Sequence, residues 1–316
     1  MTPARYPCDL HCHTTRSDGN DSPRELIDNA ARAGLAVLAI TDHDTVPPEN
    51  ITVDATEMPA VDYARQRGVQ LVPGYEFSCD TWVDDVHICG YRLDWRHPAV
   101  LAEVAAAERS KSRAYEELCE LLTARGMAID WERDILSYRQ PDGTPARRDP
   151  DNVQRKHIFE AMAAKGHTAT WSDAKILVQG DPTLNVRRRK IDPVAAIELI
   201  HACGGTAVLA HPYLIEETVH RQDGTTMSRS AYIDRLIAAG LDGIEASYSY
   251  DKTSYKGVQT PEEIEAEVRR LYAGRLRFIS GGSDYHADHK KGTNKCRALG
   301  ERGISLEAFR TQGELQ

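Results

Sequence analysis

The chain has 316 residues and a mass of 35.2 kDa, enough for one large domain or one large domain carrying a smaller one. Hydrophobic residues make up 41% and charged residues 28%, which supplies a core and excludes global disorder. The 39 lysines and arginines against 48 acidic residues give a net charge of -9, which excludes an overall basic surface for long nucleic acid. No apolar run of about 18 residues is present to span a membrane. Residues 1–9 hold no apolar secretion-signal core. The seven cysteines, irregularly spaced, do not read as a disulfide framework. A reduced, cytoplasmic protein without membrane attachment or an obligate protein partner is expected.

In chain order, residues 8–11 read as a short strand end. Ser22 then caps a helix, with Pro23 at its first position and Glu25 completing a capping box. That helix runs to Gly34. Residues 35–40 are almost wholly apolar, as a buried parallel strand should be, and end in Thr41-Asp42-His43-Asp44. A helix over 60–67 leads to a strand over 69–72, followed by Gly74-Tyr75-Glu76-Phe77; residues 86–91 are a further strand.

The rhythm breaks near His97. Residues 98–124 read as one long helical stretch. A polar region follows, with a turn at Gln140-Pro141-Asp142-Gly143, then a helix over 152–165 and a short helical turn from about Ser172. The αβ rhythm resumes with a helix capped by Asp192 and a strand over 206–209 ending at His211. A helix over 228–239 and a strand over 241–246 carrying Glu245 come next. A helix opened by Thr260-Pro261 leads to a last strand over 277–280, which ends in Gly281-Gly282-Ser283-Asp284-Tyr285-His286. About seven βα units around a mainly helical insertion demand a mostly parallel sheet. Ligand-capable residues after almost every strand favour a closed barrel over an open sheet. The expected division is a discontinuous barrel of residues 1–97 and 190–300, an insertion over 98–189, and a tail over 301–316.

Nine residues carry the chemistry. His11 and His13 are two apart, so in an extended segment they face the same way. Asp18 follows in a loop that can fold back. His43 lies in the polar cluster after the second strand, where Asp42 or Asp44 can accept from its second ring nitrogen. Glu76, His87 and His211 sit at or just inside strand ends, and Asp284 and His286 are again two apart. Nine such groups exceed the needs of one ion and suit two or three, with a bridging carboxylate. Imidazole with carboxylate accommodates manganese, zinc or iron without separating them. Clustered ions of this kind lower the pKa of water and polarise phosphoryl or carbonyl groups.

The segments DLHCHTTRSDG, ITDHDT, GYEF, VHICGY, VLAHP and GGSDYH resemble those of the polymerase-and-histidinol-phosphatase family, PHP. The resemblance covers about residues 8–97 and 190–290. It implies an α/β fold, a distorted seven-stranded (β/α) barrel with a mainly helical inserted subdomain, and hydrolysis of phosphate esters. It also implies an ion held by His11, His13, Glu76 and Asp284, a second held by Glu76, His87 and His211, and a third held by Asp18, His43 and His286. The expected catalytic group is Glu76, Asp284, His211 and Asp42, with Asp42 as a proton relay or as the residue orienting His43.

Segments 152–157 and 186–193 resemble more weakly those of family members acting on small phosphorylated molecules. In that subgroup a helical insertion roofs the metal site and contributes arginine to substrate phosphate. Arg155, His157, Arg188 and Arg189 are the candidate phosphate contacts. A guanidinium fork fits two phosphate oxygens, although a solvated surface explains Arg188 and Arg189 as well. The expected substrate is small and phosphorylated, in the manner of a nucleotide, a nucleoside 3',5'-bisphosphate or a short RNA. Cyclic sugar phosphates, histidinol phosphate and a noncatalytic metal-binding accessory role are the alternatives. An amidohydrolase is disfavoured because no lysine occupies the relevant strand ends.

Overall fold

The computed structural model describes residues 4–139, 143–150, 153–291 and 295–312. Seven strands form one sheet whose spatial order follows the chain. They are β1 (Cys8–Asp9), β2 (Val37–Ile40), β3 (Gln70–Ser78), β4 (His87–Tyr91), β5 (Thr206–Leu209), β6 (Gly243–Ser247) and β7 (Phe278–Gly281). All neighbours pair in parallel except β4, which runs against both β3 and β5. The sheet is a near-closed barrel. Its ends meet through loop backbone: Leu10 N–H donates to Gly281 O at 3.2 Å, and His13 N–H to Tyr285 O at 2.8 Å.

One element is longer than the sequence pattern predicts. A strand over 69–72 followed by a rim residue Glu76 is expected, but β3 continues to Ser78. Residues Gly74 to Ser78 find antiparallel partners from Tyr91 back to His87, and this pairing keeps the backbone extended past the parallel contact with β2. Glu76 therefore lies within a strand.

Side-chain alternation sorts the strands into two faces. Val37, Ala39, Val72, Cys89, Tyr91, Val208 and Phe278 share one core cluster, the barrel interior. Leu38, Ile40 and Leu71 belong to a second cluster, and Tyr75, Phe77, Ile88, Leu209 and Ile244 to a third; both pack against helices outside the sheet. The period of two then places Glu76 on the face of Val72, His87 on that of Cys89, and Glu245 opposite to Ile244. Cys12 turns outward among Leu26, Leu38 and Tyr285, leaving His11 and His13 to the interior.

The helices begin where capping chemistry predicts. Ser22 Oγ accepts from Glu25 N–H, and the Glu25 carboxylate accepts from Ser22 N–H at 2.7 Å, opening Pro23–Ala33. Asp192 caps Pro193–Ala202, and Thr260 with Glu263 caps Pro261–Tyr272. Among the described residues, no helix is long and apolar enough to cross a membrane. Of residues 301–316, 313–316 lie outside the described residues; Leu306–Gln312 is a helix whose Phe309 is buried in the interior cluster.

The chain divides into two compact units, Met1–Val104 with Ile191–Gln316, and Ala105–Lys190. The long helix forms as Pro98–Ala124. The second unit has its own core of Leu118, Leu122, Ile135, Ile158, Phe159 and Met162. Its helices are Arg155–Ala164 and Trp171–Gly180, the latter ten residues where the sequence suggests a short turn; Thr170 and Asp173 form its capping box. Ser137–Arg139 pairs antiparallel with Pro145–Arg147. The expected turn residues Gln140, Pro141 and Asp142 lie outside the described residues, as does Asn152 at the start of the expected helix.

The seam between β7 and β1 tolerates no side chain at Gly282. A Cβ there would lie 2.3 Å from His11 Cβ and 2.6 Å from His11 N. Gly282→Ala is expected to cost about 1–3 kcal/mol through overpacking against backbone. Gly274→Ala is the control, because nothing lies within 4 Å of its Cβ position. Thermal unfolding of the two variants should show a drop of several degrees for the first and almost none for the second.

Candidate metal centre

Glu76 is buried at the barrel mouth, and five imidazoles face its carboxylate. Oε2 lies 3.3 Å from His11 Nε2, 3.2 Å from His13 Nε2 and 3.0 Å from His43 Nδ1. Oε1 lies 3.0 Å from His87 Nδ1 and 3.1 Å from His211 Nε2. Asp284 Oδ1 is 3.1 Å from His13 Nε2 and 3.6 Å from His11 Nε2. At the outer edge Asp18 Oδ1 is 3.0 Å from His286 Nε2 and 3.8 Å from His13 Nδ1. The structure thus gathers all nine ligand-capable residues singled out in the sequence.

Strand direction and local backbone put them there. His87 is the first residue of β4, and because β4 is reversed its start lies at the rim where β3 and β5 end, with Ser78 opposite His87. His211 follows Ala210, whose side chain is interior, so simple alternation would turn His211 outward. A left-handed backbone at His211, φ 30°, turns it back to the mouth. Asp284 also has a left-handed φ of 53°, and Gly282 lets β7 approach His11 closely enough for the two to meet.

The donor set fits divalent ions. Four groups have ligand atoms close enough to hold one: His13, Asp18, His43 and His286; His11, Glu76 and His211; His11, His13 and Asp284; and His43, Glu76 and His87. His11 Nε2, His13 Nε2, His43 Nδ1 and Glu76 Oε2 are buried without a hydrogen-bond partner. Buried polar atoms left this way are costly unless a ligand satisfies them. Together with the family relationship given below, they make one or more divalent metal sites a property of this chain.

Charge is strongly redistributed among these groups. Burial would raise the Glu76 carboxyl, but His43, His11 and His87 hold it well below the usual range. Asp284 is likewise held low against burial, by His286 and Arg297. Burial opposes protonation of His13, yet Asp284 and Glu76 lift it to about 10. Burial wins at His87, which falls to about 3 in spite of Glu76.

Several residues around the centre were not assigned a role from the sequence. Glu245 accepts from the His211 N–H at 2.8 Å, and both its oxygens lie 3.3 Å from His11 Nδ1. Asp284 Oδ2 accepts from the Tyr248 hydroxyl at 2.7 Å and the Arg297 guanidinium at 2.6 Å, which leaves Oδ1 to the histidines. Asp9 accepts from Ser283 N–H and Oγ–H and from Gly300 N–H, tying β1 to the loops after β7. An acid between Ile244 and Ala246 in a buried strand was the available signal for Glu245. Arg297 lies in an irregular segment with no pattern to mark it.

The expectation for Asp42 changes. Asp42 does not orient His43: its oxygens accept from Thr14 N–H at 2.7 Å, Thr14 Oγ1–H at 2.7 Å and Ser17 Oγ–H at 2.6 Å. It fixes the loop that carries Asp18. Asp44 Oδ1 accepts from Ser78 N–H, and His43 Nδ1 faces Glu76. In the second unit, Arg155 lies over the Tyr115 ring at 5.9 Å. His157 Nδ1 accepts from Gln154 N–H, and burial with Arg148 and Lys156 pulls this imidazole down to about 4, so it is neutral near pH 7. The Arg189 N–H donates to Ser110 Oγ; Arg188 also has partners within the fold.

The PHP domain family model matches residues 9–179. The chain is 32% identical to a 5'-3' exoribonuclease of Salmonella typhimurium, over 88% of this chain and 84% of that protein. It is 31% identical to a 3',5'-nucleoside bisphosphate phosphatase of Chromobacterium violaceum, over 90% and 88%. It superposes with a TM-score of 0.69 and 25% identity on a presumed metal-dependent phosphoesterase of Bifidobacterium adolescentis, over 98% and 96%.

Ion binding must displace protons from this centre. At pH 8 the metal-free His13, raised to about 10, carries a proton that a ligand imidazole cannot keep. Loading the chelator-stripped protein with Mn²⁺ at pH 8 is expected to release protons. Calorimetry in two buffers of different ionisation enthalpy reads this directly, and equal heats in both would contradict it.

Proposed function

The chain belongs to the PHP family of metal-dependent phosphoesterases, and from that premise we propose that it hydrolyses a phosphate ester in a small, nucleotide-like substrate. The preferred substrates are a nucleoside 3',5'-bisphosphate or a short oligonucleotide. The observation that carries the reading is Glu76 buried among five histidines, with Asp284 Oδ1 beside two of them. Similarity at 31–32% to a bisphosphate phosphatase and an exoribonuclease supports the substrate class.

The protein's part in the reaction is to hold and present charge. His11, His13, Glu76 and Asp284 would hold one ion, Glu76, His87 and His211 a second, and Asp18, His43 and His286 a third. When bound, divalent ions supply Lewis acidity toward a phosphoryl oxygen and bring the pKa of water toward neutrality. Glu76 stays ionised and presents both oxygens inward. Tyr248 and Arg297 pin Asp284 through Oδ2. With a net charge of -9, anion affinity has to arise locally. We assign Arg155 to a nonreacting substrate phosphate, with Arg188 and Arg189 as further contacts.

Elemental analysis of protein purified without chelator should find at least two ions of manganese, zinc or iron per chain; a saturated single site would remove the multinuclear scheme. Phosphate release from nucleoside bisphosphates, short RNA, histidinol phosphate and cyclic sugar phosphates then ranks the substrates, and a clear preference for either of the last two would overturn the nucleotide assignment. Glu76→Ala should lower kcat by about a hundredfold or more, with the circular dichroism of a folded barrel. Arg155→Ala should lower kcat/KM about ten- to hundredfold on a bisphosphate and far less on the matched monophosphate, the loss of one charge-assisted hydrogen bond. Equal losses on both substrates would mean that Arg155 does not read the second phosphate, and no loss on either would return it to the solvated surface.

A further inference from the structure

We propose that Glu245 is a positioning residue that holds two imidazoles of the centre at once, His11 through its ring and His211 through its backbone. The proposal rests on the reading that the centre binds divalent ions.

Glu245 is a carboxylate in the middle of buried strand β6, between Ile244 and Ala246, whose side chains pack outside the sheet. Alternation sends it into the barrel, where it is 2% exposed. Both its oxygens lie 3.3 Å from His11 Nδ1. The opposite ring nitrogen, Nε2, is the one that faces Glu76 and Asp284, and it has no hydrogen-bond partner. A carboxylate at Nδ1 selects the tautomer with the proton on that atom. It thereby leaves the Nε2 lone pair aimed at the centre and raises its basicity. Glu245 stands behind the imidazole, on the side away from the ligand atoms.

Its second contact is of a different kind. Oε2 accepts from the backbone N–H of His211 at 2.8 Å. His211 has φ 30°, a left-handed conformation that a residue with a Cβ adopts only under constraint. That conformation brings His211 Nε2 to 3.1 Å from both Glu76 Oε1 and His87 Nδ1. One carboxylate therefore secures a ring tautomer on the β1 side and a backbone turn on the β5 side. Glu245 acts on His11 and His211, which share a group with Glu76, whereas Asp18, His43 and His286 gather with His13 in another, so its loss should be felt in one part of the centre.

The test uses the full chain, stripped by chelator and titrated with Mn²⁺, with free ion followed by electron paramagnetic resonance. Wild type, Glu245→Ala and Glu245→Gln are compared. Glu245→Ala should weaken one class of Mn²⁺ site by roughly 10- to 100-fold and leave another within about threefold of wild type. Glu245→Gln is nearly isosteric and covers the case in which the alanine variant fails to fold; its amide oxygen should restore part of the affinity. Nitrogen-15 spectra of histidine-labelled, Zn²⁺-loaded protein should show one imidazole losing its hydrogen-bonded Nδ1–H in the alanine variant. Unchanged Mn²⁺ affinity in a folded variant overturns the proposal. Equal weakening at every site also overturns it, because that is general structural damage. A wild-type protein that takes up no ion defeats the underlying metal reading instead, and the proposal falls with it.

Discussion

Taking a carboxylate out of water costs several kcal/mol unless groups of complementary charge or hydrogen-bonding partners meet it. Glu76 imposes that demand on the barrel mouth. It is met from the segments after β1 and β2, from the start of β4 and from the segment after β5, by imidazoles that each bring one nitrogen to within 3.3 Å. No helix or hairpin could deliver five such groups around one point. A closed wall of short strands can, because each strand end contributes one or two residues to a common ring. The same crowding leaves ring nitrogens without hydrogen bonds, and this makes the site a receptor for cations rather than a self-satisfied ion-pair network.

Alternation along the strands does most of the placing, and the exceptions are as informative as the rule. Val72, Gly74 and Glu76 follow the period of two into the interior, as do His87, Cys89 and Tyr91. Where the period gives the wrong face, the backbone leaves the extended region, as at His211. Around these ligands a further layer of acids holds the scaffold: Asp9 ties β1 to the loops after β7, Asp42 ties the Thr14–Ser17 loop, and Glu245 reaches both His11 and His211. Burying so many carboxylates in one place is tolerable because each accepts hydrogen bonds from backbone N–H or side-chain groups.

Much of this was legible in the sequence because it is written in local terms. Ser22 with Glu25, Asp192, and Thr260 with Glu263 mark helix starts through hydrogen bonds that span three residues. The apolar run 35–40 marks a buried strand. His11 with His13 and Asp284 with His286 reveal themselves by spacing. What escaped depends on distant partners. The extension of β3 through Ser78 requires the antiparallel partner β4, and strand direction is not encoded in either segment alone. The carboxylate of Asp42 lies one residue from His43, yet Thr14 and Ser17, brought close by the fold, compete for it successfully. Arg297 sits in an irregular segment, and only the folded chain shows that it meets Asp284.

The barrel is joined unevenly around its circumference. β1 has two residues, and its union with β7 rests on loop backbone rather than on a ladder of paired strands. His11 and His13 stand on one side of that join, Asp284 and His286 on the other. An ion shared by His13 and Asp284 would therefore be a cross-link between the first and last segments of the sheet, acting where no ladder of paired strands joins them. Catalytic capacity and mechanical integrity would then be governed by the same ligand, and metal starvation would slacken the container along with emptying it.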